Sequence, residues 1–258
     1  MPLPLRTVAA TRYVTPLREG GSLPAIVEGD ELGLYVLKFR GAGQGLKALI
    51  AELIGGEIAR AAGLRVPELV LMTLDPGLAL TEPDAEIQSL IRASGGLNLA
   101  LDYLPGSVTF DTVVERPDAL LASCIVWLDA FLMNIDRTPR NANMLSWHKQ
   151  LWLIDHGAAL YVHHASDDFA GRAADPFAFI KDHVLLRFAS ELPAADAQMR
   201  ERLTPAVIDA IVQAVPDDWL ADGSGGAPAA RRNTYRRFLD DRRDASKLFV
   251  LEAQRARG

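Results

Sequence analysis

The stretch Leu128–Leu145, LDAFLMNIDRTPRNANML, decides how this chain folds, and Leu151–Gly157, LWLIDHG, completes its reading. Residues 118–134 are apolar almost all round, which predicts a helix at the centre of a mainly helical region. After it come Asp136, Asn141 five positions on, and two short strand-like pieces, NMLSW and QLWLID, around a His148-Lys149 turn; Asp155 then stands just ahead of Gly157. Taken singly, Asp136 and Asn141 are turn formers after a helix, and Asp155-His156-Gly157 is an ordinary strand end. Taken together, in this order and with Asp155 19 positions after Asp136, they form a phosphotransfer pattern. The chemistry explains the residue types. A highly negative group must move, which calls for a divalent cation held by oxygen ligands and a carboxylate beside the acceptor hydroxyl. Asp136 fits the second task; Asn141 and Asp155 fit the first, with Asn143 as an alternative to Asn141 because it directly precedes the strand.

Upstream, short strands are predicted from Arg12 to Phe39 as an antiparallel meander, with a helix from Leu49 to Ala62 stopped by Gly63. Lys38 interrupts the apolar strand YVLKF. On a sheet's wet face such a lysine needs no explanation. Beside a metal-binding pattern it is the natural partner of a helix carboxylate and a nucleotide phosphate. Glu52 supplies the carboxylate, with Glu57 as its competitor. Two glycine turns, Gly20-Gly21-Ser22 and Gly41–Gly45, are able to cradle phosphate with their N–H groups, although neither is followed by the Lys-Ser/Thr of a P-loop. VPELVLMTLD and NLALDYLPG read as further strands and Pro83–Ala93 as a short amphipathic helix. Beyond the hairpin, helices are predicted over Pro176–Phe188, Pro205–Ala214 and Ala229–Gln254, with DGSGGAPA as a flexible loop.

Composition excludes other classes. A net charge of -6 argues against an electrostatic grip on nucleic acid or anionic lipid. The single cysteine, Cys124, rules out a disulfide framework and reads as a small buried hydrophobe. No run is long and apolar enough to span a bilayer and no leader is recognisable, so a cytoplasmic protein is expected. His148, His163, His164 and His183 lack metal-ligand spacing, and RRNTYRRF is expected to face solvent or to pair with the following DDRRD.

The pieces YVLKF, AELIGGEIARAAGLRVPEL, LDAFLMNIDRTPRNANML and LWLIDHGAAL resemble the HipA-like kinases, in a shorter form reduced to the kinase body and distantly similar to phosphoinositide kinases. The resemblance implies an α+β, bilobal protein-kinase-like fold. Residues 1–104 would make a small nucleotide-binding lobe of antiparallel strands with one helix, and residues 105–258 a larger helical lobe. It implies ATP and Mg2+ as cofactors, phosphate contact by Lys38, orientation of Lys38 by Glu52, catalysis by Asp136, and metal ligation by Asn141 and Asp155. Ala100–Leu104, with Leu101, Asp102 and Tyr103 at its centre, corresponds to the hinge that meets adenine. A serine or threonine of a protein is the implied acceptor, with an antitoxin-like partner in prospect. A small-molecule or phosphoinositide kinase and a regulatory pseudokinase are the rival readings. The chain departs from the pattern in reading Asp-Arg-Thr for Asp-Arg-His and Asp-His-Gly for Asp-Phe-Gly, and the extra amino-terminal domain of the full-length toxin kinase is expected to be absent.

Overall fold

Alternating small and apolar side chains draw the first hundred residues into a sheet that closes on itself. The computed structural model describes residues 5–17, 23–43, 45–166, 168–221 and 227–258. Strands β1 (Thr7–Pro16), β2 (Ala25–Gly29) and β3 (Leu34–Lys38) are followed by helix α1 (Gly45–Ala61), β4 (Leu69–Leu74), α2 (Ala85–Ala93) and β5 (Gly96–Asp102). The strands form a five-membered barrel in the order β1-β2-β3-β5-β4. Val8, Val27, Tyr35, Leu37, Met72 and Ala100 fill its interior.

The antiparallel meander expected over residues 12–39 is present as β1-β2-β3, but the sheet as a whole is not purely antiparallel. β1 starts five residues before Arg12, and its first residues, Thr7–Ala9, pair in parallel with Leu71–Thr73 of β4. Of two register shifts against β2, the one at Ala10/Arg12 lies where β1 leaves one neighbour for the other, and the one at Tyr13/Thr15 lies within the stretch paired with β2. Irregularities of this kind bend and twist a strand, which lets a single strand serve both an antiparallel and a parallel partner. The parallel partner arrives only after α1 has crossed over, as parallel pairing requires.

α1 ends as its sequence predicts. Gly63 adopts φ 80°, its N–H bonds to the Arg60 carbonyl, and the Leu64 N–H reaches the Ala59 carbonyl, both at 2.9 Å. This paired closure at a left-handed glycine uses carbonyls that the helix end would otherwise leave without partners.

After a short strand β6 (Val108–Thr109), the long apolar helix α3 (Ala119–Leu132) begins at Asp118, whose side chain accepts from the Leu121 N–H at 2.9 Å. The hairpin β7 (Met144–Trp147) and β8 (Gln150–Leu153) extends β6 into a three-stranded sheet. His148 and Lys149 both take positive φ at its turn, as a tight two-residue hairpin demands. Helices α4 (Leu192–Arg202), α5 (Pro205–Gln213), α6 (Asp217–Leu220), α7 (Pro228–Asp244) and α8 (Ser246–Arg257) pack around α3 and α1. One large core runs unbroken from Leu53, Ile54 and Ile58 of α1 to Trp127 and Phe131 of α3 and Phe249 of α8. Trp127 stacks on Phe131 at 5.0 Å and donates to Asp196 at 2.8 Å.

Three expectations about the second half need correction. Residues 176–188 are not a helix but two short 3-10 turns, Ala178–Asp182 and Leu186–Phe188. Their backbone is drawn elsewhere: the Val184 N–H bonds to the Arg137 carbonyl, and the Leu185 N–H to His183 Nδ1. Residues 229–254 are two helices, broken at Ala245, so that α7 packs on α5 while α8 packs on α3 and α4. The basic stretch does not simply face solvent. Tyr235 and Phe238 are buried, and Arg242 of the DDRRD segment is fully enclosed, donating to the carbonyls of Phe131 (2.8 Å), Ala173 (2.9 Å) and Asp175 (2.8 Å). Arg242 thereby satisfies carbonyls at the end of α3, and burial lowers its pKa to about 10. An Arg236–Asp240 pair at 3.5 Å does join the two charged runs. The predicted flexible loop falls mostly on residues 222–226, outside the described residues. Cys124 is buried, as its apolar context predicts, and among the described residues no helix is long and apolar enough to cross a membrane.

Candidate active site

The end of α3 builds the loop that carries Asp136. Met133 turns left-handed at φ 51° and closes the helix, and Asn134 then braces the loop from both sides. Its amide Nδ2 donates to Asp129 Oδ1 at 2.9 Å, and its Oδ1 accepts from the Asp136 N–H at 3.1 Å. Arg137 turns inward, 1 % exposed, and its Nε donates to Asp129 Oδ2 at 2.5 Å. Its Nη1 donates to the Asn143 carbonyl, so one side chain ties the start of the loop to its end. His183 Nε2 shares Asp129 Oδ2 at 2.9 Å. Burial alone would raise the Asp129 pKa, but Arg137 and then His183 outweigh it and hold the carboxyl well below its usual range.

With Arg137 committed to the interior, its neighbour Asp136 presents its carboxylate on the other side. Asp136 Oδ2 accepts from Asn141 Nδ2 at 2.7 Å and from Asn143 Nδ2 at 3.1 Å. Asn141 is exposed and Asn143 buried. Reciprocal bonds between Thr138 and Asn141, both 3.0 Å, pinch the intervening turn. Both asparagines thus sit at Asp136.

Asp155 leaves β8 in the left-handed region, φ 55°, a conformation uncommon outside glycine and concentrated at functional sites. The hydrogen bond from the Ile154 N–H to the Asn143 carbonyl, 3.0 Å, holds this exit against the Asp136 loop. Across the cleft, alternation in β3 sends Tyr35 and Leu37 into the barrel and Val36 and Lys38 outward. Lys38 Nζ donates to Asp155 Oδ1 at 2.8 Å and stands 3.8 Å from Glu52 Oε2. Glu57, the competitor, is instead paired with Arg60 at 2.7 Å. Burial would lower the Lys38 pKa, but Glu52, Asp155 and Asp136 together hold it above its ordinary value. Lys38, followed by His156, likewise overcomes the burial of Glu52 and brings its pKa down to about 2.

Gly55 explains how α1 and the Asp155 segment come so close. A Cβ there would lie 2.7 Å from His156 Cβ, so only a glycine admits the imidazole against the helix. His156 is fully buried with Nδ1 3.8 Å from Glu52 Oε1, and among the described residues neither its ring nitrogens nor that Glu52 oxygen has a hydrogen-bond partner.

A cleft of about 370 Å³ joins these groups. Lys38, Asn141, Asn143 and Asp155 line it together with Leu101, Asp102 and Tyr103 of the expected hinge. Glu52 stands behind Lys38, and Asp136 behind the two asparagines. Gly20, Gly21 and Ser22 lie outside the described residues, but Leu17 and Pro24 on either side of them border the cleft. The second glycine turn is elsewhere: the Gly41 N–H bonds to Ser94 Oγ at 3.1 Å. Sequence reasoning missed Val36, which the alternation around Lys38 indicates, and His156, which adjacency to Asp155 indicates. It also missed Asp129 and His183, whose meeting across 54 positions leaves no local signal.

The profile of the HipA-like kinases matches residues 11–237. No curated protein sequence matches the chain. Among solved structures it is similar to the Helicobacter pylori proinflammatory kinase CtkA, with a TM-score of 0.59 at 15 % identity over 97 % of this chain and 99 % of that one. It is also similar to the Golgi casein kinase, with a TM-score of 0.50 at 12 % identity over 99 % and 73 % of the two chains. The same kinase with Mn and ADP bound gives a TM-score of 0.52 at 13 % identity over 99 % and 74 %. At such identities the structures attest a kinase-like fold, and the profile, spanning most of the sequence, carries the family assignment. The chain is a member of the HipA-like kinase family, a kinase-type phosphotransferase.

Proposed function

We propose that this kinase uses ATP and Mg2+ to phosphorylate a serine or threonine hydroxyl of a protein. The observation that carries the reading is the meeting at one cleft of Lys38 from a barrel strand, Asp155 from the end of the hairpin, and Asn141 and Asn143, which both bind Asp136 of the loop after α3. The donor set suits magnesium. Asp155 with Asn141 or Asn143 offers hard oxygen ligands, and among the described residues no group of three or more His, Cys, Asp or Glu could hold a metal unaided. Two or so protein oxygens completed by nucleotide phosphates is how magnesium commonly binds. When bound, the ion would supply charge neutralisation at the phosphates.

The chain's own groups do the rest. Lys38 meets phosphate oxygens, steadied by Glu52, and Asp136 orients the acceptor hydroxyl and takes its proton. The amides of Asp102 and Tyr103 are already bonded to the carbonyls of Glu68 (2.8 Å) and Leu34 (2.9 Å), which favours the Leu104 N–H as the hinge donor to the base in this reading.

Asp136→Ala tests the assignment. Transfer of labelled γ-phosphate should fall by about 10³-fold or more, while ATP binding measured by calorimetry persists. Undiminished transfer would remove Asp136 from its role, and absence of ATP binding by the wild type would indicate a regulatory pseudokinase. Labelled lysate separated into protein, lipid and small-molecule fractions identifies the acceptor class.

A further inference from the structure

A second cleft, of about 320 Å³, borders the same catalytic loop at Pro139, three residues beyond Asp136. Lys181, Arg187 and Arg257 line it, brought together from the two 3-10 turns and the end of α8. In a chain of net charge -6, three cations at one cleft form a local exception. All three are exposed, and none makes an ion pair among the described residues. Arg187 is steadied by the Phe188 ring, 4.6 Å below its guanidinium carbon. The nearest acidic neighbours in sequence are Asp182 and Asp111, and Asp111 already accepts the Val113 N–H at 2.8 Å. His183 also lines the cleft, with Nε2 bonded to buried Asp129 and Nδ1 accepting from Leu185. Its ring nitrogens are committed to the protein, so a ligand here meets the three flexible cations.

We propose that this cleft receives an anionic side chain of the acceptor protein, a carboxylate or a phosphate, and gives the enzyme a preference for acidic acceptor sequences. The inference rests on Asp136 as the group at the acceptor hydroxyl. Three residues of fully extended chain reach about 11 Å at most, so Pro139 lies within that distance of Asp136. An acceptor peptide rising about 3.3 Å per residue places a residue some two to four positions from its hydroxyl at the cleft.

The test uses fluorescent degenerate peptide pools with a central serine, flanked by positions enriched in glutamate, glutamine or phosphoserine. Binding is read by anisotropy, and transfer of labelled phosphate from ATP is read in parallel. The glutamate pool should bind about tenfold more tightly than the glutamine pool. The preference should disappear in Arg187→Glu/Arg257→Glu and in the milder Arg187→Gln/Arg257→Gln, and shrink at roughly 0.5 M salt. Tighter binding of the phosphoserine pool supports the proposal and identifies phosphate as the ligand. Equal binding of the glutamate and glutamine pools, or a preference that survives in both double variants, overturns it. A binding preference without phosphate transfer to any pool counts instead against the kinase reading and leaves the anion site standing.

Discussion

Two charge clusters flank the Asp136 loop and differ in one respect. Beneath it, Arg137, Asp129 and His183 are closed off, with the Arg137 and Asp129 side chains at 0 % exposure. Above it, Lys38, Glu52 and Asp155 meet at the cleft, where the Asp155 side chain is 40 % exposed and that of Lys38 12 %. A sealed ion pair cannot exchange partners without leaving a bare charge in the interior, so the lower cluster is architecture. The upper one is free to exchange. Lys38 already has two carboxylates within 4 Å, and substituting a phosphate oxygen for Asp155 keeps its charge neutralised. Similar residue types thus serve rigidity in one place and ligand exchange in the other, and access to water decides which.

Removing the centre of the sealed cluster should have the largest effect on the fold. Arg137→Met takes the guanidinium from buried Asp129, leaving it Asn134 and His183, and releases the Asn143 carbonyl, and should lower the free energy of unfolding in urea by about 3–5 kcal/mol. A loss under about 1 kcal/mol would show that the lower cluster is not structural.

In the open cluster the effect should appear in activity. Glu52→Gln removes the charge that steadies Lys38 and should reduce transfer by roughly 10-fold or more, whereas Glu57→Gln, outside the cleft and paired with Arg60, should change it less than about twofold. Equal losses would erase the distinction between the two glutamates.

A smaller effect belongs to pH. His163 is buried beside His164, with Nε2 atoms 3.1 Å apart; burial, then His164 and Lys47, bring its pKa down to about 3. The unfolded imidazole takes up its proton near the ordinary value of 6.5 and the folded one only near 3. Its contribution to stability is therefore complete above 6.5 and declines as pH falls from there towards 3, by at most about 1.4 kcal/mol per pH unit. Glu52, held down to about 2, loses its own contribution only below the ordinary glutamate value of 4.5. Urea titrations of wild type and His163→Gln between pH 6.5 and 5 should show the shallower slope in the variant, and parallel slopes would exclude His163.

The loop from Asp136 to Asp155 was legible because its parts are close in sequence: an apolar helix, a short loop and a hairpin bring Asn143, which binds Asp136, against the strand exit that carries Asp155. Lys38 and Glu52 were legible for the same reason: one ends β3 and the other lies about two turns into the helix that follows. What escaped depends on distant partners. The parallel register of β1 on β4 is set only after α1 has crossed the barrel. Arg242 lies in a polar run with no local sign of burial, and the carbonyls that capture it are 67 to 112 positions away. The helix predicted over 176–188 fails because Arg137 and Asp129 compete for its backbone and for His183.

The closure of the barrel has a consequence for visitors. Four of its five strands lie between two neighbours, whereas β1 divides its length between them, residues 7–9 with β4 and residues 10–16 with β2. A foreign polypeptide that zips in as an extra strand is therefore confined to the far end of β1, and elsewhere on the barrel wall a visitor has to be held by side chains, through shape and charge.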